Sequence, residues 1–219
     1  MLTDCDLILP CRDEAPALPT LLARVPAAFR VIVVDNGSRD RTTDVARELG
    51  ATVVQESRAG YGAAVHAGVL AATADLVAVM DADGSMDPAD LLPLLADVVQ
   101  GRASMAVGRR RPTTAGAQPW HARVGNAAVL GWLRRRTGLP VHDIAPMRVC
   151  RREALLDLGL QDRRFGYPVE LLVKAHAAGW VFSEHDITYR RRADGTKSKV
   201  SGTVRGTLRT ALDFAKVLP

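Results

Sequence analysis

Cysteine is scarce and odd in number: Cys5, Cys11 and Cys150, with no metal-ligand spacing among them. That excludes a fold built on disulfides or on zinc, and the three are expected as reduced thiols. No apolar run approaches the ~20 residues of a membrane helix. The first residues, MLTDCDLILPCRDE, carry acids where a secretory leader carries positive charge, and no cleavage pattern follows. The expected location is therefore cytoplasmic. Aromatic residues reach only 5%, and neither a base-stacking motif nor a zinc module is present, which speaks against a basic nucleic-acid-binding protein. The five histidines show no ligand spacing. Internal repeats, low-complexity tracts and clear linkers are absent as well.

What is present is an ordinary globular balance: 219 residues, 47% hydrophobic and 24% charged. This suits one domain with its own core. The charge is unevenly placed. Residues 1–100 hold 7 Arg, no Lys and 15 acids, a net −8, whereas 101–219 hold 22 Arg+Lys and 9 acids, a net +13. An acidic half suits a cation, and a basic half suits phosphate or an anionic surface. The alternative is a chance spread of solvated arginine.

Short β-branched runs at 6–10, 30–35, 52–55, 76–81 and 103–108 read as strands buried on both faces. Helical segments at about 15–25, 40–50, 61–74 and 88–100 separate them. Pro16 and Pro88 suit first helical turns, Asp87 an N-cap and Gly50 a helix stop. The expected class is α/β, a mostly parallel Rossmann-like sheet flanked by helices. The second half predicts helices at 121–137, 152–158, 168–178 and 203–218, and strands at 147–150 and 180–187. The terminal helix has an apolar stripe beside Arg205, Arg209 and Lys216, a pattern that suits packing on the domain or an anionic membrane.

In doubly wound sheets the ligand sits beyond the strands' carboxyl ends. The strongest signal there is Asp81-Ala82-Asp83 after LVAVM. Two hard carboxylates one residue apart can share Mg²⁺ or Mn²⁺, with waters and substrate phosphates completing the shell. The ordinary alternative is an Asp/Gly/Ser turn. Asp35, after RVIVV, can accept a hydrogen bond from a nucleobase or form an Asx turn before a helix that Asp40 caps. Gly60-Tyr61-Gly62 at a helix entry can bring backbone N–H groups to a phosphate, though Val65 breaks the dinucleotide fingerprint.

The series LPCRDE, VVDNGSRDRT, AGYGAA, DADGSMDP, GYPVELLVKAHAAGW and SKVSGT resembles family 2 glycosyltransferases of GT-A fold, nearest to the dolichyl/polyprenyl-phosphate sugar transferase branch. The likeness covers nearly the whole chain. It implies a single catalytic domain over 1–219, with a nucleotide- and metal-binding half (1–108) and an acceptor-binding half (109–219). By this resemblance Pro10, Arg12 and Glu14 border the nucleoside and Asp35 contacts the base. Gly60, Tyr61, Gly62, Asp81 and Ala82 join the nucleotide-sugar site, and Asp81 and Asp83 hold the metal and donor diphosphate. Glu170 stands where a carboxylate lies near the acceptor. Arg109 and Arg123 fall where lipid-phosphate members hold basic groups near the phosphates, and Arg192, Ser198 and Lys199 resemble the basic loop that closes over the site; Arg148, from the basic half, is a further cation candidate for the acceptor. Departures occur at Arg12, Tyr61 and Ser85, where many members of the branch carry an aromatic residue, lysine and glutamine.

The chemistry so implied is an inverting, one-step transfer of a sugar from a nucleotide diphosphate to a polyprenyl phosphate or a small hydroxyl acceptor. A hydroxyl needs a base, for which Glu170 is the candidate. A phosphate monoester, with its second pKa near ~6, is already ionised and needs cations instead. A lipid acceptor would bring peripheral membrane contact. DADGS also resembles an aspartate-nucleophile phosphatase loop, but three strands precede it and no paired-acid motif follows.

Overall fold

The computed structural model describes residues 5–113, 117 and 120–193. Its strands are β1 (Cys5–Cys11), β2 (Phe29–Asp35), β3 (Thr52–Gln55), β4 (Leu76–Val79), β5 (Met105–Pro112), β6 (Arg148–Arg151) and β7 (Phe182–Tyr189). Its helices are α1 (Leu18–Leu22), α2 (Thr42–Glu48), α3 (Tyr61–Ala71), α4 (Leu91–Val99), α5 (Trp120–Thr137), α6 (Arg152–Asp157) and α7 (Tyr167–Ala177). A 3₁₀ turn, Pro88–Asp90, leads into α4, with Asp87 accepting a hydrogen bond from the Ala89 N–H.

Seven strands form one sheet in the order β3-β2-β1-β4-β6-β5-β7. β1 pairs parallel with β2 and β4, and β2 parallel with β3. The strand β6 alone runs against its neighbours β4 and β5. The others therefore finish along one rim, and β6 begins there. Its first residue, Arg148, lies beside Val79 and Val107, near the exits of β4 and mid-β5. That reversal puts a buried cation where parallel neighbours deliver their exit loops.

The sheet is packed on both faces. One apolar cluster joins Ile8 and Val79 to Val65 of α3, Leu130 and Leu133 of α5, and Leu171 of α7. The other joins Leu7, Leu9 and Val33 to Leu18 of α1 and Leu94 of α4. Two layers of helix on one twisted sheet is what the alternation of elements implies.

Three expectations need correction. The strand expected at 103–108 extends to Pro112, because β5 pairs with β7 all the way to Tyr189. Residues 109–112, beyond the expected strand end, are thus strand as well. β3 is exposed or half-buried at each position, as the edge of the sheet, rather than buried on both faces. The helix expected at 15–25 is confined to Leu18–Leu22. The expected helix at 203–218, with Ser198 and Lys199 before it, lies outside the described residues.

Asp6 ties the sheet to the turn after α3. Its carboxylate, fully buried, accepts from Arg30 Nε and Nη2 at 2.7 and 2.8 Å and from the backbone N–H of Thr73 and Ala74 at 2.7 and 3.0 Å. Burial would raise its pKa, but Arg30 and the two N–H donors outweigh that and hold it below the ordinary value. Asp6→Ala is expected to cost about 3 kcal/mol at pH 7, from buried donors left unsatisfied. The contribution is full above the unfolded pKa of ~3.9 and fades as pH falls through the lower folded value. Urea titrations of both proteins should show the gap closing as pH is lowered below ~4.

Candidate active site

The rim carries three connected loops. The loops after β1 and β2 are clipped together: Asp13 N–H donates to Ser38 Oγ at 2.9 Å, Glu14 N–H to Thr42 Oγ1 at 2.9 Å, and Ala15 N–H to Asp40 Oδ2 at 3.1 Å. In return Arg39 N–H donates to Asp13 Oδ1 at 2.7 Å. Asp13 takes a left-handed φ of 55° to make this crossing. The clip sets half-buried Pro10, exposed Arg12, and buried Glu14 and Asp35 on one wall. Asp35 forms the Asx turn, accepting from Ser38 N–H at 3.2 Å. Asp40 accepts from Thr42 N–H at 3.0 Å, inside the α2 entry.

The third loop, after β4, carries the acids. Asp83 is buried; its Oδ1 accepts from Ser85 N–H at 2.9 Å, and its Oδ2 meets Arg192 Nη1 at 2.9 Å. Ala82 is buried between the two aspartates. Asp81 has its carboxyl pushed up to about 6, by burial first and by the Asp83 charge second, against the opposing pull of Arg192, Arg110 and Arg148. The Tyr61 hydroxyl lies beside Asp81 without the geometry of a full hydrogen bond, and burial pushes that phenol up.

The end of β7 straps this loop. Arg190 N–H donates to Ser85 O at 2.8 Å and Ala193 N–H to Asp83 O at 3.0 Å, while Met86 and Tyr189 form an antiparallel bridge. Arg110 is held by Asp143 through both Nε (2.8 Å) and Nη2 (2.5 Å), and lies 5.6 Å from the Tyr189 ring centroid. Buried Arg148 presents Nε and Nη2 with no hydrogen-bond partner, and Ser85 Oγ is likewise buried and unpartnered.

These groups fit a hard divalent cation. Two carboxylates and a spare hydroxyl supply oxygen, and a 2+ charge would relieve the Asp81–Asp83 repulsion. Among the described residues no group of three or more His, Cys, Asp or Glu can hold a metal by itself. Waters and substrate oxygens must complete the shell, as suits Mg²⁺ or Mn²⁺.

Four of the expected site groups have other partners or positions in the structure. The Gly60–Gly62 entry does not present its amides to a phosphate. Gly60 N–H donates to Asn36 Oδ1, Gly62 N–H to Arg164 O and Ala63 N–H to Arg163 O. The glycines instead permit close approach of the loop before α7. A Cβ at Gly60 would sit 2.1 Å from Arg163 O, and one at Gly62 2.8 Å from Asp162 O. Glu170 anchors that same loop. Its buried carboxylate accepts from Gln161 N–H (2.8 and 3.0 Å) and Asp162 N–H (2.7 Å), and pairs with Lys174 at 2.8 Å. Burial would raise its pKa, yet Lys174 and those N–H donors hold it low, which makes it a poor base. Arg109 is spent on Asp186 (2.6 Å) and Glu184 (3.7 Å). Arg123 is exposed on α5. Asn36, Arg110 and Asp143 were missed. Arg110 stands in a run of three arginines that sequence alone cannot tell apart.

The glycosyl transferase family 2 model matches residues 6–159. The chain belongs to family 2 of the glycosyltransferases. It is 58% identical to an uncharacterized glycosyltransferase of Mycobacterium tuberculosis, over 97% of this chain and 96% of that one. It is 33% identical to the dolichyl-phosphate hexose transferase of Haloferax volcanii (89% and 86% covered). It is 34% identical to the polyprenol monophosphomannose synthase of Mycolicibacterium smegmatis (90% and 81% covered). The fold matches glucosyl-3-phosphoglycerate synthase of M. tuberculosis, solved with Mn²⁺, UDP-glucose and phosphoglyceric acid. There the TM-score is 0.78 at 18% identity, with 97% of this chain and 79% of that one covered. The transferase thus has the GT-A fold, near the polyprenyl-phosphate branch. No helix among the described residues is long and apolar enough to cross a membrane.

The strained acid pair makes two outcomes measurable. Asp81→Asn removes a carboxyl whose folded pKa is raised, so it should stabilise the metal-free transferase by on the order of 1 kcal/mol at pH 7.5 and hardly at pH 4. Thermal unfolding with EDTA at both pH values checks this, and Mn²⁺ should no longer stabilise the variant. Glu170→Gln should lower stability by about 1–2 kcal/mol while leaving the transfer rate within ~10-fold. Loss of a general base would instead cost ~10²–10⁴ and reshape the pH–rate profile.

Proposed function

We propose that this transferase moves a sugar from a nucleotide-diphosphate donor to a polyprenyl-phosphate acceptor, with Mg²⁺ or Mn²⁺ and inversion at the anomeric carbon. The observation that carries the reading is the buried Arg148 guanidinium, its Nε and Nη2 without hydrogen-bond partners, near the strand ends and Asp81. A buried cation lacking hydrogen-bond partners is costly unless an anion supplies them during function.

Asp81 and Asp83 would hold the metal, which when bound supplies Lewis-acid stabilisation of the leaving diphosphate. Arg192, poised on Asp83, is placed to add a bidentate contact to the same phosphates. Asp35, Pro10, Arg12 and Glu14 would wall the nucleoside. In this reading residues 1–108 serve the donor and 109–219 the acceptor. An ionised acceptor phosphate attacks without losing a proton, so the commitment of Glu170 to its loop removes nothing that the reaction needs. The names of the H. volcanii and M. smegmatis relatives favour the lipid phosphate. A small soluble acceptor is the second reading, favoured by the likeness to the phosphoglycerate-using fold neighbour.

The test is transfer of labelled sugar from UDP- and GDP-sugars, with Mn²⁺, to a short-chain polyprenyl phosphate, its alcohol and phosphoglyceric acid. Product on the lipid phosphate and not on the alcohol is expected. Asp83→Ala should lower the rate at least ~100-fold, as removal of several kcal/mol of charge stabilisation requires. Undiminished transfer by that variant, or product on the soluble acceptor alone, overturns the reading.

A further inference from the structure

We propose that the Tyr61 hydroxyl positions Asp81, donating a hydrogen bond that turns this carboxylate toward a divalent cation. The inference deepens the function proposed above and rests on its metal site. The two aspartates are held differently. Asp83 is anchored through both oxygens, by Ser85 N–H and by Arg192. Among the described residues no donor meets Asp81 with the geometry of a full hydrogen bond. The hydroxyl beside it is Tyr61 Oη, buried and without a partner. A carboxylate that offers one oxygen to a metal needs its orientation fixed through the other, and such outer partners matter to affinity nearly as much as the ligands do.

Packing does not account for that hydroxyl. The Tyr61 ring lies against the core cluster that contains Val65 and Tyr167. Phenylalanine would fill the same space without burying an unpaired polar atom, which is costly. The charged groups acting on the phenol are Asp81 and Arg148. A guanidinium only donates hydrogen bonds, and an ionised carboxylate only accepts them. The phenolic proton therefore has one favourable direction, toward Asp81, and Arg148 can meet only the oxygen's lone pairs. Once both aspartates are ionised around a cation, a small rotation of Asp81 completes the bond.

The mount of Tyr61 is rigid, as a positioning donor requires. Gly60 N–H donates to Asn36 Oδ1 at 2.8 Å, and Asn36 Nδ2 donates in turn to Glu56 O and Arg58 O, each at 2.9 Å. On the other side Gly62 N–H donates to Arg164 O at 3.0 Å and Ala63 N–H to Arg163 O at 2.8 Å. Farther along α3, a Cβ at Gly68 would sit 2.4 Å from Ile8 Cγ2, so the helix lies hard against β1. β1 in turn pairs with β4, whose exit carries Asp81. The backbone around Tyr61 is thus fixed relative to the loop that holds the carboxylate.

The experiment titrates Mn²⁺ alone into the full chain and into Tyr61→Phe, following free Mn²⁺ by electron paramagnetic resonance. The variant is expected to bind Mn²⁺ at least ~10-fold more weakly. Its unfolding temperature in EDTA should be no lower than that of the wild type, because no bond is lost from the metal-free fold. In sugar transfer, excess Mn²⁺ should restore the variant's rate. Equal Mn²⁺ affinities overturn the proposal, as a hydroxyl that served phosphates or sugar would leave them equal. So does a lower unfolding temperature in EDTA, which would assign the hydroxyl to the fold, or a transfer defect that saturating Mn²⁺ leaves in place. Wild type that takes up Mn²⁺ only together with UDP or GDP also overturns it, and leaves the proposed function standing. No Mn²⁺ uptake in any of these conditions sinks both. Weaker Mn²⁺ binding by the variant, with wild-type transfer confined to a soluble acceptor, would uphold Tyr61 and sink the lipid-phosphate reading.

Discussion

Two carboxylates placed one residue apart at the end of a buried strand repel each other, and much of the rim is arranged around that repulsion. Asp83 is buried, and Asp81 holds its proton to a higher pH because of burial and its neighbour. Arg192 sits on one of them, and Arg110 and Arg148 oppose the raised pKa of the other. Each cation comes from a different structural device. Arg192 arrives with the strap after β7, Arg110 from the body of β5, and Arg148 from the start of the one reversed strand. An acidic pair that were only a turn would need none of these. The convergence therefore argues for a ligand that brings both positive charge to the acids and negative charge to the arginines, as a metal–diphosphate does.

The sheet was legible because hydrophobic runs and glycine or proline punctuation are local signals. The runs at 6–10, 30–35 and 76–81 had to be buried strands, and their exits had to share a rim once helices intervened. What escaped was non-local. Nothing in MAVGRRRP says that eight residues will pair with a strand some seventy positions later, so the strand was expected to end at 108. Nothing in the chain's order says that β6 will turn around, so Arg148 could be named but not placed. Asp81 and Asp83 could be read as neighbours because their spacing is itself local.

The glycine entry shows how a correct observation can lead to the wrong chemistry. Glycines before α3 do mark a close approach, but the approaching group is the carbonyl of Arg163 and not a phosphate. The same loop is pinned from behind by Glu170, so the two features read separately as phosphate cradle and base belong to one structural joint. Helix α3 is thereby locked to α7, across the join between the acidic and basic halves. Tyr61, the first residue of α3, is left facing Asp81 as a consequence of that lock.

The joint bears on the choice of acceptor. A transferase acting on a hydroxyl must keep a carboxylate with a pKa near neutrality and free to take a proton. Here the candidate is held below its ordinary value by a lysine and backbone donors, whereas the carboxyl that does lie near neutrality, Asp81, is paired with Asp83. Among the described residues the rim is thus poor in available base and rich in guanidinium. An acceptor that is already an anion resolves both facts together, since it needs no deprotonation and supplies the hydrogen-bond acceptors that Arg148 lacks. Whether its carrier is a lipid or a small acid, the acceptor that this geometry favours is a phosphate.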